Sequence, residues 1–207
     1  MIKSRIRPGL LAAFLLISMA KFASADTYSY SVDPAHSKIG FDVTHLVIST
    51  VEGKFQEFEG TFEFDDKNLK SSKLTAVVDV NSIDTGVAKR DKHLRSKDFF
   101  EVEKFPKMTF KSTSVAGDLS AIKLIGDLTI KGITKKIQFD AKYLGQAKDP
   151  YGNLKVAFYA ETKISRKEFG LLWNNMVEAG PVVGDEVKIV LRIEAGRPLT
   201  AEELATK

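Results

Sequence analysis

The sequence predicts an all-β fold: a closed antiparallel barrel of about eight strands, with one or two short helices near the barrel ends. Three observations predict it. Apolar and polar residues alternate along most of the chain, turn residues separate the alternating runs, and only two segments interrupt the pattern. A barrel is favoured over a two-sheet sandwich because closure leaves no exposed strand edges.

The first 25 residues are predicted to be a signal peptide that lies outside the fold. Three basic residues fall within the first seven positions, residues 10–20 are apolar, and Ala-Ser-Ala at 23–25 is a small-x-small cleavage signal. The apolar run is too short to cross a bilayer as a helix. We therefore expect a barrel domain over residues 26–195, a C-terminal tail over 196–207, and a periplasmic or secreted protein.

Charge and cysteine content narrow the function classes. The leader holds four of the 31 Lys and Arg residues and none of the 27 Asp and Glu residues, so the remaining chain has no formal net charge. This balance gives no support for nucleic acid as a partner. The chain has no cysteine, which excludes disulfides and a lipidated cysteine, so we expect an unanchored protein that folds on its core alone.

Each predicted strand has one apolar and one polar face. The strands are predicted at Tyr28–Val32, Ile39–Leu46, Gly60–Phe64, Leu74–Val80, Ile122–Ile130, Ile137–Tyr143, Leu154–Ile164 and Val187–Ile193, with another beginning after Pro106. An eight-stranded barrel is filled by its own side chains or holds one elongated ligand, and the pattern leaves both open. Small residues at inward positions favour a cavity, namely Ala76, Gly126, Ala141 and Ala160.

The first interruption, Asp84–Arg95, is predicted to be a helix capped by Asp84 or Thr85. Val87, Asp91 and Leu94 are spaced to share one helix face, with Arg90 beside them. This spacing places an acid and a base on the face that should be buried, which is unusual and requires a partner for each.

The second interruption, Ser165–Glu178, is predicted to be a short apolar helix or a folded-over loop. Both interruptions are expected to close the barrel ends. In the tail, Thr200 and Glu203 have the spacing of a capping box.

Four segments together resemble the YceI-like polyisoprenoid-binding family. They are residues 82–110, then Val-Asp-Pro-Ala-His-Ser at 32–37 leading to Phe41 and His45, then residues 126–134, and finally Ile-Ser-Arg at 164–166 with Phe169-Gly170. Members often have Trp before the Asp-Pro segment, where Tyr30 is the nearest aromatic residue here. The resemblance implies a lipocalin-like barrel and an exported carrier of an isoprenoid such as a quinone or a polyprenyl phosphate. Classical lipocalins are a weaker alternative because their N-terminal Gly-x-Trp motif is missing.

Ten residues are predicted to contact such a lipid: Phe41, His45, Arg90, Asp91, Leu94, Phe99, Phe100, Phe158, Arg166 and Trp173. The apolar ones are expected to line or seal the barrel interior. His45 is predicted to point inward, either as a ligand contact or as a hydrogen-bonded core residue. Arg90, Asp91 and Arg166 are predicted to form a polar mouth for the head group, or alternatively buried ion pairs that hold the helix.

No enzyme signature is found, so we predict a protein without catalytic residues, cofactor or metal site. The chain lacks a nucleophile elbow, a phosphate-binding glycine loop and a metal-binding histidine pattern. Two rival functions stay open: a lipid-modifying enzyme using His45 or His36 with Asp91, and a structural or stress-protective envelope protein with a packed core. Transient membrane contact and a homodimer are both compatible with the sequence.

Overall fold

A computed structural model describes residues 28–178 and 180–205. The predicted signal peptide lies outside the described residues. The strands of the described chain are β1 (Tyr28–Val32), β2 (Lys38–His45), β3 (Ser49–Phe55), β4 (Phe58–Phe64), β5 (Lys73–Asp79), β6 (Ile83–Asp84), β7 (Lys107–Asp118), β8 (Ala121–Ile130), β9 (Ile133–Lys148), β10 (Asn153–Ser165), β11 (Met176–Val177), β12 (Gly180–Pro181) and β13 (Val183–Pro198). The α-helices are α1 (Ala88–Arg95) and α2 (Ala201–Ala205).

The strands form the predicted closed antiparallel barrel. Around the ring, β1 pairs with β4, followed by β5, β7, β8, β9, β10 and β13, and β13 pairs back onto β1. β2 joins the other half of β13, and β3 and β6 extend the sheet from β2. Only a short turn separates β1 from β2, β3 from β4, and β5 from β6. When each of these pairs is counted as one strand, together with β7, β8, β9, β10 and β13, the barrel has eight strands.

The strand predictions are confirmed at most positions, but the long strand β3 and the two-residue strands β6, β11 and β12 were missed. β3 contains Gly53 at an inward position, where the alternation rule expects an apolar side chain. An added Cβ on Gly53 would lie 2.2 Å from the Phe41 ring, which therefore occupies that space. The missing apolar side chain is supplied by the neighbouring strand.

The first interruption is a shorter helix than predicted. α1 begins after Val87, which is its N-cap and makes no side-chain capping bond, so the prediction of Asp84 or Thr85 as N-cap is wrong. Asp84 Oδ1 instead accepts a hydrogen bond from Gly86 N at 2.8 Å, which makes a turn before the helix. Val87 is 47% exposed while Asp91 is buried, so only part of the predicted buried face is buried.

The second interruption is the predicted folded-over loop. A 3-10 helix at Arg166–Phe169 ends at Gly170, whose φ of 74° is the left-handed conformation that glycine adopts readily. The short hairpin β11–β12 follows before β13 begins.

The last residues of the chain pack against the barrel. Arg197, the second-last residue of β13, is buried. Its guanidinium lies 3.8 Å from the centre of the Tyr28 ring and donates two hydrogen bonds to Glu203. The predicted capping box is confirmed, because Thr200 N donates to Glu203 Oε2 and Glu203 N donates to Thr200 Oγ1. In the described residues, no helix is long and apolar enough to cross a membrane.

Candidate ligand cavity

The barrel interior is divided into two halves with different fillings. The first, which we call the aromatic half, is filled by the rings of Tyr30, Phe62, Phe64, Tyr143 and Phe158. Tyr30 stacks on Phe62 at 5.4 Å, and Phe158 meets Phe64 edge-on at 5.1 Å between ring centres. These are the separations at which aromatic pairs attract, so this half is close-packed.

The second half encloses a cavity of about 210 Å³, and we call it the cavity half. No polar atom of the described residues contributes surface to the cavity. Most of its wall comes from β2, β4, β5, β7, β8 and β13 and from the segments that follow β6 and β10, and β1, β3, β6, β9 and β10 contribute one residue each. Representative lining residues are Ile39, Phe41, Ala76, Val78, Leu94, Phe99, Phe100, Met108, Arg166, Leu171, Ile189 and Leu191.

The cavity exists because its walls are made largely of aliphatic side chains, and the small residues contribute less than predicted. Of the four small inward residues, Ala76 borders the cavity and the other three are not among its described lining. At Gly126 an added Cβ would lie 2.4 Å from the Phe110 ring, which therefore fills that position. Ala160 is buried within the core.

One end of the barrel is covered by α1 and by the segment at residues 165–182, and we call it the α1 end. The His93 and Trp173 ring centres are 4.8 Å apart, and the Phe99 and Trp173 ring centres are 5.2 Å apart. Leu46 N donates to Val182 O at 3.0 Å, so the β2–β3 turn lies at this end too. His93 is half-buried and also contacts Asp98 at 3.0 Å.

Arg166 is the charged residue of the cavity lining that is most fully buried, with 3% exposure. Its Nε donates to Gly184 O at 2.8 Å, and its Nη1 donates to the carbonyl oxygens of Leu171 and Trp173. Its Nη2 donates a longer bond, 3.4 Å, to Val183 O. Arg166 therefore joins the loop after β10 to the start of β13.

The Arg166 guanidinium has no carboxylate within ion-pair distance among the described residues, and burial lowers its pKa. The charge of Asp185 acts in the opposite direction. Four of the five N–H groups of an arginine are used by the carbonyls, which leaves one donor. The α1 end of the cavity thus carries a positive charge that backbone dipoles partly compensate.

Arg90 and Asp91 both hydrogen-bond to Thr85, which is close to them in sequence. Asp91 Oδ1 accepts hydrogen bonds from Thr85 N at 2.9 Å and from Thr85 Oγ1 at 2.5 Å. Arg90 Nε donates to Thr85 Oγ1 at 2.7 Å, and Nη2 donates to Thr85 O at 2.8 Å. Both side chains therefore fix the entry to α1, and neither borders the cavity.

The structure brings together half of the ten predicted ligand residues. Phe41, Leu94, Phe99, Phe100 and Arg166 line the cavity. Trp173 packs behind Phe99, and Phe158 belongs to the aromatic half. His45 ends β2, is half-buried and is not among the lining residues.

Sequence reasoning also missed part of the site. Val78, Met108, Ile189 and Leu191 border the cavity, and each lies on an apolar strand face. The alternation identified these faces as inward, but it carries no signal that separates a cavity wall from packed core.

His36 and His45 are too far apart to act together. His36 lies in the turn before β2 and His45 ends that strand, so about 25 Å separates them at roughly 3.3 Å per residue. The ring of His36 has a side-chain partner, since its Nδ1 contacts Asp33 Oδ2 at 3.1 Å.

Asp33, His36 and Glu194 could each offer a ligand atom to a metal ion. A cation of the protein already occupies their centre, because Lys155 Nζ lies 2.9 Å from Asp33 and 3.4 Å from Glu194. The Lys155 ammonium, followed by His36, lowers the pKa of Asp33 to about 2. This ion network joins the turn after β1 to β10 and β13.

Comparison with known proteins places this architecture in context. The model of the YceI-like domain matches residues 30–195. A UPF0312 protein of Pectobacterium atrosepticum is 39% identical over 187 residues, which cover 90% of this chain and 95% of that protein. Protein YceI of Escherichia coli O157:H7 is 39% identical over 186 residues, covering 90% of this chain and 94% of that protein.

Solved structures share the fold. A Campylobacter jejuni YCEI protein is 32% identical with a TM-score of 0.63, and the match covers 80% of this chain and 95% of that one. Burkholderia cenocepacia BcnA is 24% identical with a TM-score of 0.70, covering 79% and 98%. A polyisoprenoid binding domain from Saccharophagus degradans is 18% identical with a TM-score of 0.59, covering 82% and 98%, so these last two show likeness of fold alone.

Proposed function

This chain belongs to the YceI-like domain family, and from that premise we propose that it is a carrier that holds an isoprenoid lipid, or a similar long-chain amphiphile, in the cavity half of its barrel. A quinone and a polyprenyl phosphate are the two ligand classes proposed. The structural neighbour described as a polyisoprenoid binding domain supports the same class of ligand.

The wholly apolar cavity is the observation that carries this proposal. An isoprene tail in water exposes apolar surface at a cost of about 25 cal/mol per Å². A dry, preformed cavity lined by Ile39, Ile189 and Leu191 removes that cost without any covalent step.

The head group is proposed to lie at the α1 end, near Arg166. The positive charge of Arg166 attracts a phosphate or the carbonyl oxygen of a quinone. Arg90 and Asp91, which bind Thr85, are proposed to support α1 while Leu94, Phe99 and Phe100 contact the lipid.

A carrier explains these residues better than the lipid-modifying enzyme. Asp91 uses its buried carboxylate to hold Thr85, and His36 pairs with Asp33. Neither His36 nor His45 borders the cavity, so neither is positioned as a base against a ligand within it.

The proposal is tested by native mass spectrometry of the protein purified from its own envelope, followed by solvent extraction. We expect one adduct with the mass of a quinone or a polyprenyl phosphate, and its mass distinguishes the two classes. An apo mass that stays unchanged after incubation with both lipids would favour the packed structural protein.

A cavity-filling variant provides the matched test. Ala76→Phe places a ring into the cavity, whereas Ala116→Phe makes the same change at an exposed position of β7. We expect Ala76→Phe to weaken binding of farnesol, a short soluble isoprenoid, by roughly tenfold or more, and Ala116→Phe to stay within about twofold. Equal affinities would show that the isoprenoid binds elsewhere.

Export to the periplasm, with cleavage after Ala25, is proposed from the leader alone. N-terminal sequencing of the protein from the periplasmic fraction should begin at Asp26. A chain that retains Met1 and stays in the cytoplasm would contradict it.

A further inference from the structure

Exposed apolar side chains are concentrated at the α1 end. Ile48 is 87% exposed and Val47 is 55% exposed in the β2–β3 turn, and Met176 is 73% exposed and Val177 44% exposed in β11. We call these four residues the apolar tip. Apolar residues that stand this far into water on two turns have no role in the barrel core.

The two turns form one surface. Leu46 N donates to Val182 O, and an added Cβ on Gly180 would lie 3.2 Å from Val47 Cγ2. Gly180 is the cross-strand partner of Val177. The tip is therefore continuous from the β2–β3 turn to the β11–β12 hairpin.

The β2–β3 turn holds its apolar side chains outward at a conformational cost. Val47 has a φ of 68°, in the left-handed region that β-branched residues rarely adopt. Glycine or asparagine would form the same turn with less strain. The chain nevertheless has valine there, followed by isoleucine.

The apolar tip is uncharged. Residues 43–51, 169–177 and 179–184 contain no Lys, Arg, Asp or Glu, in a chain of which 28% is charged. The charged residues that directly flank these runs in sequence are all acidic, whereas α1 at the same end of the barrel exposes Lys89 and Lys92. The tip itself therefore gains free energy from apolar contact alone.

We propose that the apolar tip docks the protein on a bilayer of zwitterionic lipid, with the α1 end of the cavity facing the membrane. Leu171 and Val183, which line the cavity, lie within the uncharged runs 169–177 and 179–184. The choice of a bilayer as partner rests on the proposed function, because an isoprenoid must enter from a membrane and return to one.

Flotation with phosphatidylcholine vesicles tests this docking surface. Ile48→Asp and Met176→Asp are each expected to weaken vesicle binding roughly tenfold, since each replaces an inserted apolar group by a charge. The control, Tyr151→Asp, alters a side chain that is 86% exposed in the β9–β10 turn and should stay within about twofold. Wild-type protein that fails to float, or a double variant that floats equally well, overturns the proposal.

Insertion can be observed directly because the chain has no cysteine. A polarity-sensitive fluorophore on Ile48→Cys should shift to the blue with vesicles, and one on Tyr151→Cys should not. Protein that binds vesicles while neither probe shifts would show that another surface docks.

Farnesol binding without vesicles separates this proposal from the carrier function. The Ile48→Asp and Met176→Asp variants should bind farnesol as the wild type does. If farnesol binds while the tip variants still float, the docking surface is wrong and the carrier stands. If farnesol fails to bind while the tip variants lose vesicles, the carrier is wrong and the docking surface stands.

Discussion

The aromatic half and the cavity half arise from the same alternating pattern but have opposite interiors. In the aromatic half, Val156 is 1% exposed and Ala195 is 0% exposed, so no space remains around them. In the cavity half, the inward residues Ile39 and Leu191 stay half-buried because they border empty space. An inward apolar face thus gives a packed core or a binding site, depending on what faces it across the barrel.

The placement of the rings, and not their number, explains the difference, since seven phenylalanines line the cavity half. Phe64 has three aromatic neighbours, Tyr30, Tyr143 and Phe158, which converge on the barrel axis. Phe41 lies over Gly53 along the wall, and its nearest ring is Phe55 at 5.7 Å. Rings that meet across the axis close the barrel, and rings that lie along the wall leave it open.

The largest expected effect compares one phenylalanine from each half. Phe64→Ala should lower the free energy of unfolding by about 3–5 kcal/mol, because it opens a void in a close-packed cluster. Phe41→Ala should cost about 1–2 kcal/mol, since part of its ring already borders the cavity. Urea unfolding followed by circular dichroism measures both, and equal losses would remove the distinction between the halves.

The reverse substitution, alanine to phenylalanine, should also destabilise the aromatic half more than the cavity half. Ala195→Phe, in the aromatic half, is expected to cost about 3 kcal/mol because a new ring has no space. Ala76→Phe should cost less than about 1 kcal/mol, because the cavity accepts the ring. A greater loss for Ala76→Phe in the same urea titration would mean that the cavity walls cannot accommodate it.

The next largest predicted effect on stability depends on pH and concerns the Arg197–Glu203 pair beside the aromatic half. The Arg197 guanidinium, followed by the Thr200 N–H, lowers the pKa of Glu203 from 4.5 to about 2. A lowered folded-state pKa stabilises the protein fully above about pH 4.5, and this contribution is lost as the pH falls through about 2.

Glu203→Gln should therefore cost about 1–2 kcal/mol at pH 7, reduced by the partial exposure of the pair, and almost nothing near pH 2. Urea titrations at several pH values follow the difference. Glu103→Gln, at an exposed position before β7, serves as the control and should be neutral throughout. A Glu203→Gln difference that does not vary with pH would assign the effect to packing.

The smallest effect concerns the α1 end of the cavity half. Thr85→Ala removes the hydroxyl that donates to Asp91 and accepts from Arg90, and should cost about 1 kcal/mol. The Thr85 amide still binds Asp91, so α1 should keep its position. Increased hydrogen exchange confined to α1 would agree, whereas global unfolding would show that α1 supports the whole barrel.

Much of the barrel could be predicted from local pattern. The alternation in β5, β8, β9, β10 and β13 identified their inward faces, and the spacing of Thr200 and Glu203 identified the capping box. These signals depend on residues close in sequence, where the backbone period alone decides which way a side chain points.

Local chemistry at α1 was harder to predict. The sequence favoured Asp84 or Thr85 as a cap, but their side chains stabilise the turn before the helix. Polar side chains of this kind bond to several nearby backbone groups, and spacing alone does not rank those choices.

The sequence by itself determined a closed barrel with apolar inward faces and a polar exterior. Only the tertiary structure decided which faces enclose a cavity, because each filling comes from another strand: Phe110 covers Gly126, Phe41 covers Gly53, and Phe158 meets Phe64. It also decided that Arg166 is buried beside that cavity, with backbone carbonyls as its partners. Whether an inward position is filled depends on the side chains that converge there, and the spacing along a single strand contains no record of them.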